Sequence, residues 1–350
     1  FTDSEGRVHG ARVRDTTDGS VYEIQARIVV NAGGPWAQGV LEDSGLAARK
    51  ALRPSKGIHI LLSAGRLPIK GAAFLKSAIG RRGLAVRRLD YVYVGTSDDE
   101  HTGPMESPRA SRADVLDLLA MVQDCFPAAG ITLADVLATW AGIRPLIEED
   151  GKTTRDTSRE DEVWPGPDGL VTIAGGKLTT YRRMAGRVIE EILNALGDSP
   201  VMDDKTADAR LPGCPAEDVS KFIEDRLDRL GEAGVPEATL KRLGFLYGTQ
   251  LDDLLALARE DPTWLAPLGE DVPALRGEVR LAVMKEMAAT LIDVMDRRLA
   301  LLLFSPNSGL SGASEAASIM GVLLGWDEAR VSAEVSGYRA YVMEHRVPAS

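Results

Sequence analysis

Cysteine is nearly absent from this chain: two residues, Cys125 and Cys214, in 350. That excludes a disulfide framework and suits a reducing compartment. Four histidines, scattered and with no cysteine cluster near them, exclude a metal centre of the usual Cys/His kind. Positive charge is not in excess either. Lysine and arginine number 41 against 52 aspartate and glutamate, a net charge of −11 at pH 7. General nucleic-acid binding is therefore excluded, although a local basic pocket for a small anion is compatible with that total. Apolar runs are short. None approaches the roughly 18–20 residues that span a bilayer, and the longest, residues 299–304, is predicted to end a buried helix. The sequence has no internal repeat. What remains, 44% apolar and 27% charged residues, is enough for sizeable globular cores, and 350 residues allow about two domains.

Chemistry concentrates in one stretch, GLVTIAGGKLTTYRRMAGRVIEEILNAL, residues 169–196. Residues 170–174 have the β-branched, apolar character of a buried parallel strand. Gly175 and Gly176 follow, and a helical apolar period starts at Thr179, with Thr179 or Thr180 as the expected cap. A strand, a glycine pair and a helix N-terminus make a small anion trap: the backbone is approachable, and free N–H groups and the helix dipole favour negative charge. A plain strand-to-helix turn accounts for the same residues equally well on physics alone. A second unit of this kind is VVNAGGPW (29–36), a short strand followed by Ala32-Gly33-Gly34 and a proline at the first helical position.

Elsewhere, residues 8–13 and 21–26 alternate as a β-hairpin around Asp18-Gly19. A Pro-Ser-Lys-Gly turn at 54–57 is expected to lead into a strand bearing His59. Residues 66–90 are basic and read as a solvated loop or hairpin, with a membrane-surface patch as the lesser reading. Ser111 caps a predicted helix over 112–126. Arg144, before Pro145, is expected at a strand end, and 148–168 as a polar loop containing Arg155 and Arg159. Beyond a proline-rich linker at 198–216 the pattern is helical throughout. It includes one long helix over 278–303, where Met284, Met287, Leu291 and Met295 form a stripe expected in the core.

Taken together, GGKLTTYR (175–182), VVNAGGPW (29–36), RPSKGIH (53–59), GTSDDE (95–100), TWAGIRPL (139–146) and EMAATLIDVMDRR (286–298) resemble, in order, the FAD-dependent sn-glycerol-3-phosphate dehydrogenases of the aerobic type. The resemblance runs from about residue 6 to about residue 345. Gly33 departs from the family's Ala-Thr-Gly element, and Ser97 from its Gly-Thr-Thr-Asp pattern. The family's opening GxGxxG loop, which grips the FAD pyrophosphate, occurs nowhere in the sequence. The resemblance therefore implies an N-terminally truncated piece of a longer protein.

It also implies a fold and a chemistry. The fold class is α/β plus α: part of a Rossmann-like FAD-binding domain (1–46 and 165–198, expected to pack together), an inserted antiparallel β substrate-binding domain (47–164), and a C-terminal all-helical domain (205–350). FAD is the implied cofactor, held by Ala32, Gly33, Gly34, Gly175, Gly176, Lys177, Leu178 and Thr179. The implied reaction takes a hydride from C2 of sn-glycerol 3-phosphate and yields dihydroxyacetone phosphate. Arg144 and His59 are the catalytic candidates, with His59 as base or Arg144 and a water sharing that role. Arg159 and Lys177 are the expected substrate anion ligands, and the three cations Arg144, Arg159 and Lys177 are expected to converge beside one cleft. Quinone is the implied electron acceptor, with oxygen, or an inactive chain retaining only the fold, as alternatives. A cytoplasmic protein, peripheral on the inner face of the cell membrane, and a homodimer complete what the family admits.

Overall fold

Local alternation and apolar periodicity build most of the elements in the computed structural model, which describes residues 1–46, 48–148, 160–165, 169–198 and 205–349. In chain order the strands and helices begin with β1 (Gly10–Arg14), β2 (Val21–Gln25), β3 (Val29–Asn31), α1 (Ala37–Asp43) and β4 (Leu52–Ser63). Then come β5 (Ala72–Lys76), β6 (Arg82–Arg88), β7 (Tyr91–Gly95), β8 (Asp99–Glu100) and α2 (Arg112–Cys125). β9 (Ala138–Ile147), β10 (Asp161–Pro165), β11 (Leu170–Gly175) and α3 (Tyr181–Leu196) follow. The rest is helical: α4 (Val219–Glu232), α5 (Glu237–Leu246), α6 (Leu251–Glu260), α7 (Arg276–Met284), α8 (Leu301–Phe304), α9 (Ala313–Leu324) and α10 (Glu328–Glu344). The result is the expected mixed α/β architecture with a helical C-terminal part.

Contacts divide the chain into two units. The first comprises Phe1–Ile58, Thr96–Arg109 and Ala141–Ala209; the second comprises His59–Gly95, Ala110–Trp140 and Arg210–Ser350. β4 and β9 each pass along the chain from one unit to the other.

In the first unit, β1 and β2 form the expected antiparallel hairpin. β11 is the middle of a three-stranded sheet, parallel to β3 on one side and antiparallel to β10 on the other. Residues 1–46 and 169–198 thus share a sheet although more than a hundred residues separate them. β10 corrects the expected 148–168 loop. Its sequence DEVWP looks polar, but Trp164 packs with Ile147 and Ala174 in a small core, and pairing with β11 supplies the backbone partners. β4 also differs from expectation. It starts at Leu52, so the Pro-Ser-Lys-Gly segment is strand and not turn; Ser55 and Lys56 pair with Glu100 and Asp99 of β8.

In the second unit, β5, β6, β7 and the end of β4 form an antiparallel meander, and the basic 66–90 stretch is its β5–β6 hairpin. Leu75 and Ala85 are buried beneath it. A capping box closes α2: Asp114 N–H donates to the Ser111 hydroxyl, and Ser111 N–H to the Asp114 carboxylate. Val115, Leu118, Leu119 and Val122 form its buried stripe, as expected. The long helix over 278–303 does not form. α7 ends at Met284, Met287 and Ala300 take left-handed φ of 56° and 52°, and a π-helical turn occupies Asp293–Arg298. The methionine stripe is correspondingly split. Leu291 and Met295 are buried, while Met284 and Met287 are exposed.

Candidate active site

Both glycine pairs leave the same edge of one sheet. β3 and β11 run parallel with Val29, Val30 and Asn31 opposite Leu170, Val171 and Thr172. Ala32-Gly33-Gly34 and Gly175-Gly176-Lys177 therefore continue from the carboxyl ends of neighbouring strands, where α/β sheets place their ligands. Asn31, which sequence reasoning passed over, fixes the first turn. It is buried, its Nδ2 donates to the Ala37 carbonyl at 2.8 Å, and its Oδ1 accepts from Gly33 N–H at 3.2 Å. Its position, directly after a β-branched strand and before two glycines, is the signal that could have found it.

At the second turn Gly175 and Gly176 have φ of 75° and 84°, where side chains are disfavoured, and Gly176 N–H donates to the Glu160 carbonyl. A 3₁₀ turn, Leu178–Thr180, then leads into α3. Neither Thr179 nor Thr180 caps it with a side chain, contrary to expectation; the Thr180 hydroxyl instead donates to the Lys177 carbonyl. The N-terminus is consequently capped by no side chain, and Lys177, Leu178 and Thr179 are exposed beside it. The N–H groups of Thr180 and Tyr181 turn back onto the Lys177 and Leu178 carbonyls, so the positive end of this 16-residue helix lies over residues 177–179, where it favours an anion or a carbonyl dipole.

Arg144 lies inside β9 rather than at a strand end, since the strand continues to Ile147. It is half-buried and hydrogen-bonds to three successive residues, 96–98. Its Nη1 donates to Asp98 Oδ1 at 2.9 Å and to the Ser97 carbonyl at 3.1 Å, and its Nη2 donates to Thr96 Oγ1 at 2.6 Å. The Ser55 hydroxyl, fully buried on β4, donates to the same Asp98 oxygen at 2.9 Å. Gly57 makes room for this seat. A Cβ there would stand 2.3 Å from Arg144 Nη2 and 2.5 Å from Thr96 Oγ1.

His59 belongs to the second unit. Its ring stacks on Trp140 with centroids 4.9 Å apart and stands edge-on to Tyr93 at 6.1 Å. It also covers its cross-strand partner Gly95, where a Cβ would meet the ring at 2.1 Å. Arg159, with Arg155, lies outside the described residues. Among the described residues no group of three or more His, Cys, Asp or Glu side chains could hold a metal ion, and no helix is long and apolar enough to cross a membrane.

A family model described as FAD dependent oxidoreductase matches residues 2–182, and one described as the C-terminal domain of alpha-glycerophosphate oxidase matches 204–331. The aerobic glycerol-3-phosphate dehydrogenase of Staphylococcus epidermidis is 30% identical over 98% of this chain and 62% of its own length. That of Staphylococcus haemolyticus is 32% identical over 87% of this chain and 56% of its own. The chain thus spans less than two thirds of the curated relatives it matches. The glycerol-3-phosphate dehydrogenase from Bacillus halodurans, solved as a complex with FAD, superposes with a TM-score of 0.86 at 28% identity, covering 100% of this chain and 68% of that one. With more than half of its residues matched by that first model, the chain belongs to the FAD dependent oxidoreductase family.

Proposed function

We propose that the enzyme containing this chain oxidises sn-glycerol 3-phosphate to dihydroxyacetone phosphate, with FAD as the hydride acceptor and quinone receiving the electrons. One observation carries the reading: two glycine turns leave the carboxyl ends of adjacent parallel strands, one of them entering a helix that no side chain caps. Ala32, Gly33, Gly34, Gly175, Gly176, Lys177, Leu178 and Thr179 would hold the flavin. The donor set fits, because open glycine backbone and helix N–H groups suit a flat, carbonyl-rich ring and stabilise negative charge on it. In this reading 1–46 and 165–198 bind the cofactor, 47–164 bind the substrate, and 205–350 form the helical part.

Arg144 is assigned to the C2 oxygen, where its N–H groups stabilise charge developing as the alcohol becomes a carbonyl. His59 takes the hydroxyl proton; the flat Trp140 face limits its ring to few orientations. Arg159 and Lys177 bind the phosphate, one by a planar fork and the other as a mobile point charge. Names of the relatives support the substrate. Quinone implies a contact with the inner face of the cell membrane, and a homodimer belongs to the same proposal.

The test is anaerobic addition of glycerol 3-phosphate to the flavin-loaded protein, followed by a soluble quinone or by air. Bleaching of the flavin and recovery by quinone is the expected outcome. Recovery by air alone would make the enzyme an oxidase, and flavin that stays oxidised would sink the substrate assignment. Two variants sharpen it. Gly176→Ala introduces a Cβ at φ 84°, 2.5 Å from Met184 Cε, and is expected to purify with little flavin. Full flavin retention would count against the cradle. Arg159→Ala is expected to raise KM for glycerol 3-phosphate and leave the poor substrate glycerol almost unaffected. Equal losses on both substrates would remove Arg159 from the phosphate site.

A further inference from the structure

We propose that Asp98 is a positioning residue, fixing the rotation of the Arg144 guanidinium through a carboxylate that is itself anchored by Ser55. The inference rests on the reading of Arg144 as the group beside the reacting oxygen. The sequence placed Asp98 in the GTSDDE stretch without giving it a role: it is one of two adjacent aspartates, and its neighbour Asp99 lies on the short strand β8.

A single oxygen, Asp98 Oδ1, accepts from both Ser55 Oγ and Arg144 Nη1 at 2.9 Å. Rotating the carboxylate away breaks both bonds at once. Ser55 cannot follow it, because that side chain is fully buried on a paired strand. The segment that carries Asp98 is tied down too, since Ile58 N–H donates to the Ser97 hydroxyl at 3.2 Å. The guanidinium is then gripped at two prongs by different residues, Nη1 by Asp98 and the Ser97 carbonyl, Nη2 by the Thr96 hydroxyl.

An ion pair that merely ties two strands gains most by meeting fork to fork, with two parallel bonds to one carboxylate. Here the prongs are divided among a carboxylate, a carbonyl and a hydroxyl, which sets the plane and rotation of the fork. Side-chain exposures of 25% for Arg144 and 16% for Asp98 leave both groups in reach of a small solute while restricting their motion. Asp98 also offsets the arginine's charge, so Arg144 acts chiefly through directed N–H bonds. Directed bonds depend on geometry, and misplacement by about 1 Å can cost a hundredfold in rate.

The experiment is steady-state kinetics on the flavin-loaded enzyme for Asp98→Ala, Asp98→Asn, Arg144→Ala and the Asp98→Ala/Arg144→Ala pair, with thermal unfolding of each. Asp98→Ala is expected to lower kcat by about tenfold to a hundredfold with KM changing by less than about threefold. Asp98→Asn keeps an oxygen for both donors and should restore kcat to within about threefold of the unsubstituted enzyme. In the Arg144→Ala background, Asp98→Ala should cost nothing further, because its effect runs through the arginine. Equal loss with and without Arg144, or an asparagine no better than alanine, overturns the proposal. An unchanged kcat in Asp98→Ala overturns it alone, whereas an unchanged kcat in Arg144→Ala removes the reading of Arg144 itself. Should Asp98→Ala not fold, Thr96→Val removes the acceptor of the Nη2 prong at nearly constant shape. A kcat loss matching the Asp98 expectation supports the seat, and an unchanged kcat overturns it.

Discussion

Under the proposed reaction, replacing Arg144 with alanine is expected to lower kcat by about a hundredfold to a thousandfold while KM for glycerol 3-phosphate rises far less. The asymmetry follows from where charge appears. In the ground state the C2 hydroxyl is neutral and asks little of a guanidinium. As the proton and hydride leave, the oxygen gains negative character, and N–H groups placed beside it as proposed would bind it more strongly. An interaction made mainly in the transition state is lost from kcat, and one made equally in both states is lost from KM. The seat adds a second reason. Without Arg144, the buried Ser55 and the partly buried Asp98 remain bonded, and the carboxylate loses the charge of the guanidinium. Under the proposed assignment of Arg144, that change in charge lies where an anionic substrate would arrive, so some increase in KM accompanies the fall in kcat. Arg144→Lys is the informative companion. It restores the charge but not the planar fork, and should recover KM more than kcat. Equal changes in kcat and KM for Arg144→Ala would instead place the residue with the phosphate.

The sequence alone made the sheet edges and the glycine turns legible, because both depend on local pattern: β-branched runs, paired glycines, a proline at a helix start. What it obscured was set at a distance. Arg144, Arg159 and Lys177 looked like three cations needing an anion, yet Arg144 already has Asp98, more than forty residues away. β10 reads as polar until β11 lends it a ladder. The interrupted helix is the plainest case. Nothing between 278 and 303 is a glycine or proline, so local propensity favours continuity. The breaks at Met287 and Ala300 persist because remote side chains satisfy the freed backbone: Arg298 donates to the Glu286 carbonyl at 2.7 Å, Glu334 accepts from Leu291 N–H at 2.8 Å, and Arg242 donates to the Leu299 carbonyl at 2.7 Å. No hydrophobic period encodes such partners. For His59, Trp140 supplies the stack from β9, and its register to β4 is equally invisible in sequence.

Removing the Glu278 carboxylate by Glu278→Ala is expected to destabilise the helical part by about 3–5 kcal/mol, a large share of the roughly 5–15 kcal/mol that keeps a domain folded. Glu278 has no exposure and Arg242 has 3%, and they pair at 2.6 Å. Desolvating two such ions is costly, so the pair itself adds little net stability. Breaking it is another matter. Glu278 Oε2 accepts from Leu275 N–H at the start of α7, and its charge, after burial, pushes the Tyr247 phenol well above its usual pKa. Alanine would leave an unpaired guanidinium in the core among Leu243, Leu275 and Leu299 while freeing a helix N-terminus. Arg242 also donates to the Pro273 and Leu299 carbonyls, so it cannot swing out to water without unmaking the helix break it supports. Urea unfolding monitored by far-ultraviolet circular dichroism measures the loss. The pair Arg242→Met/Glu278→Gln should cost much less than Glu278→Ala alone, because no buried charge is then left without a partner. A Glu278→Ala loss of unfolding free energy no larger than the ~1 kcal/mol of an exposed ion pair would mean that water reaches Arg242 and that the helix break is held some other way.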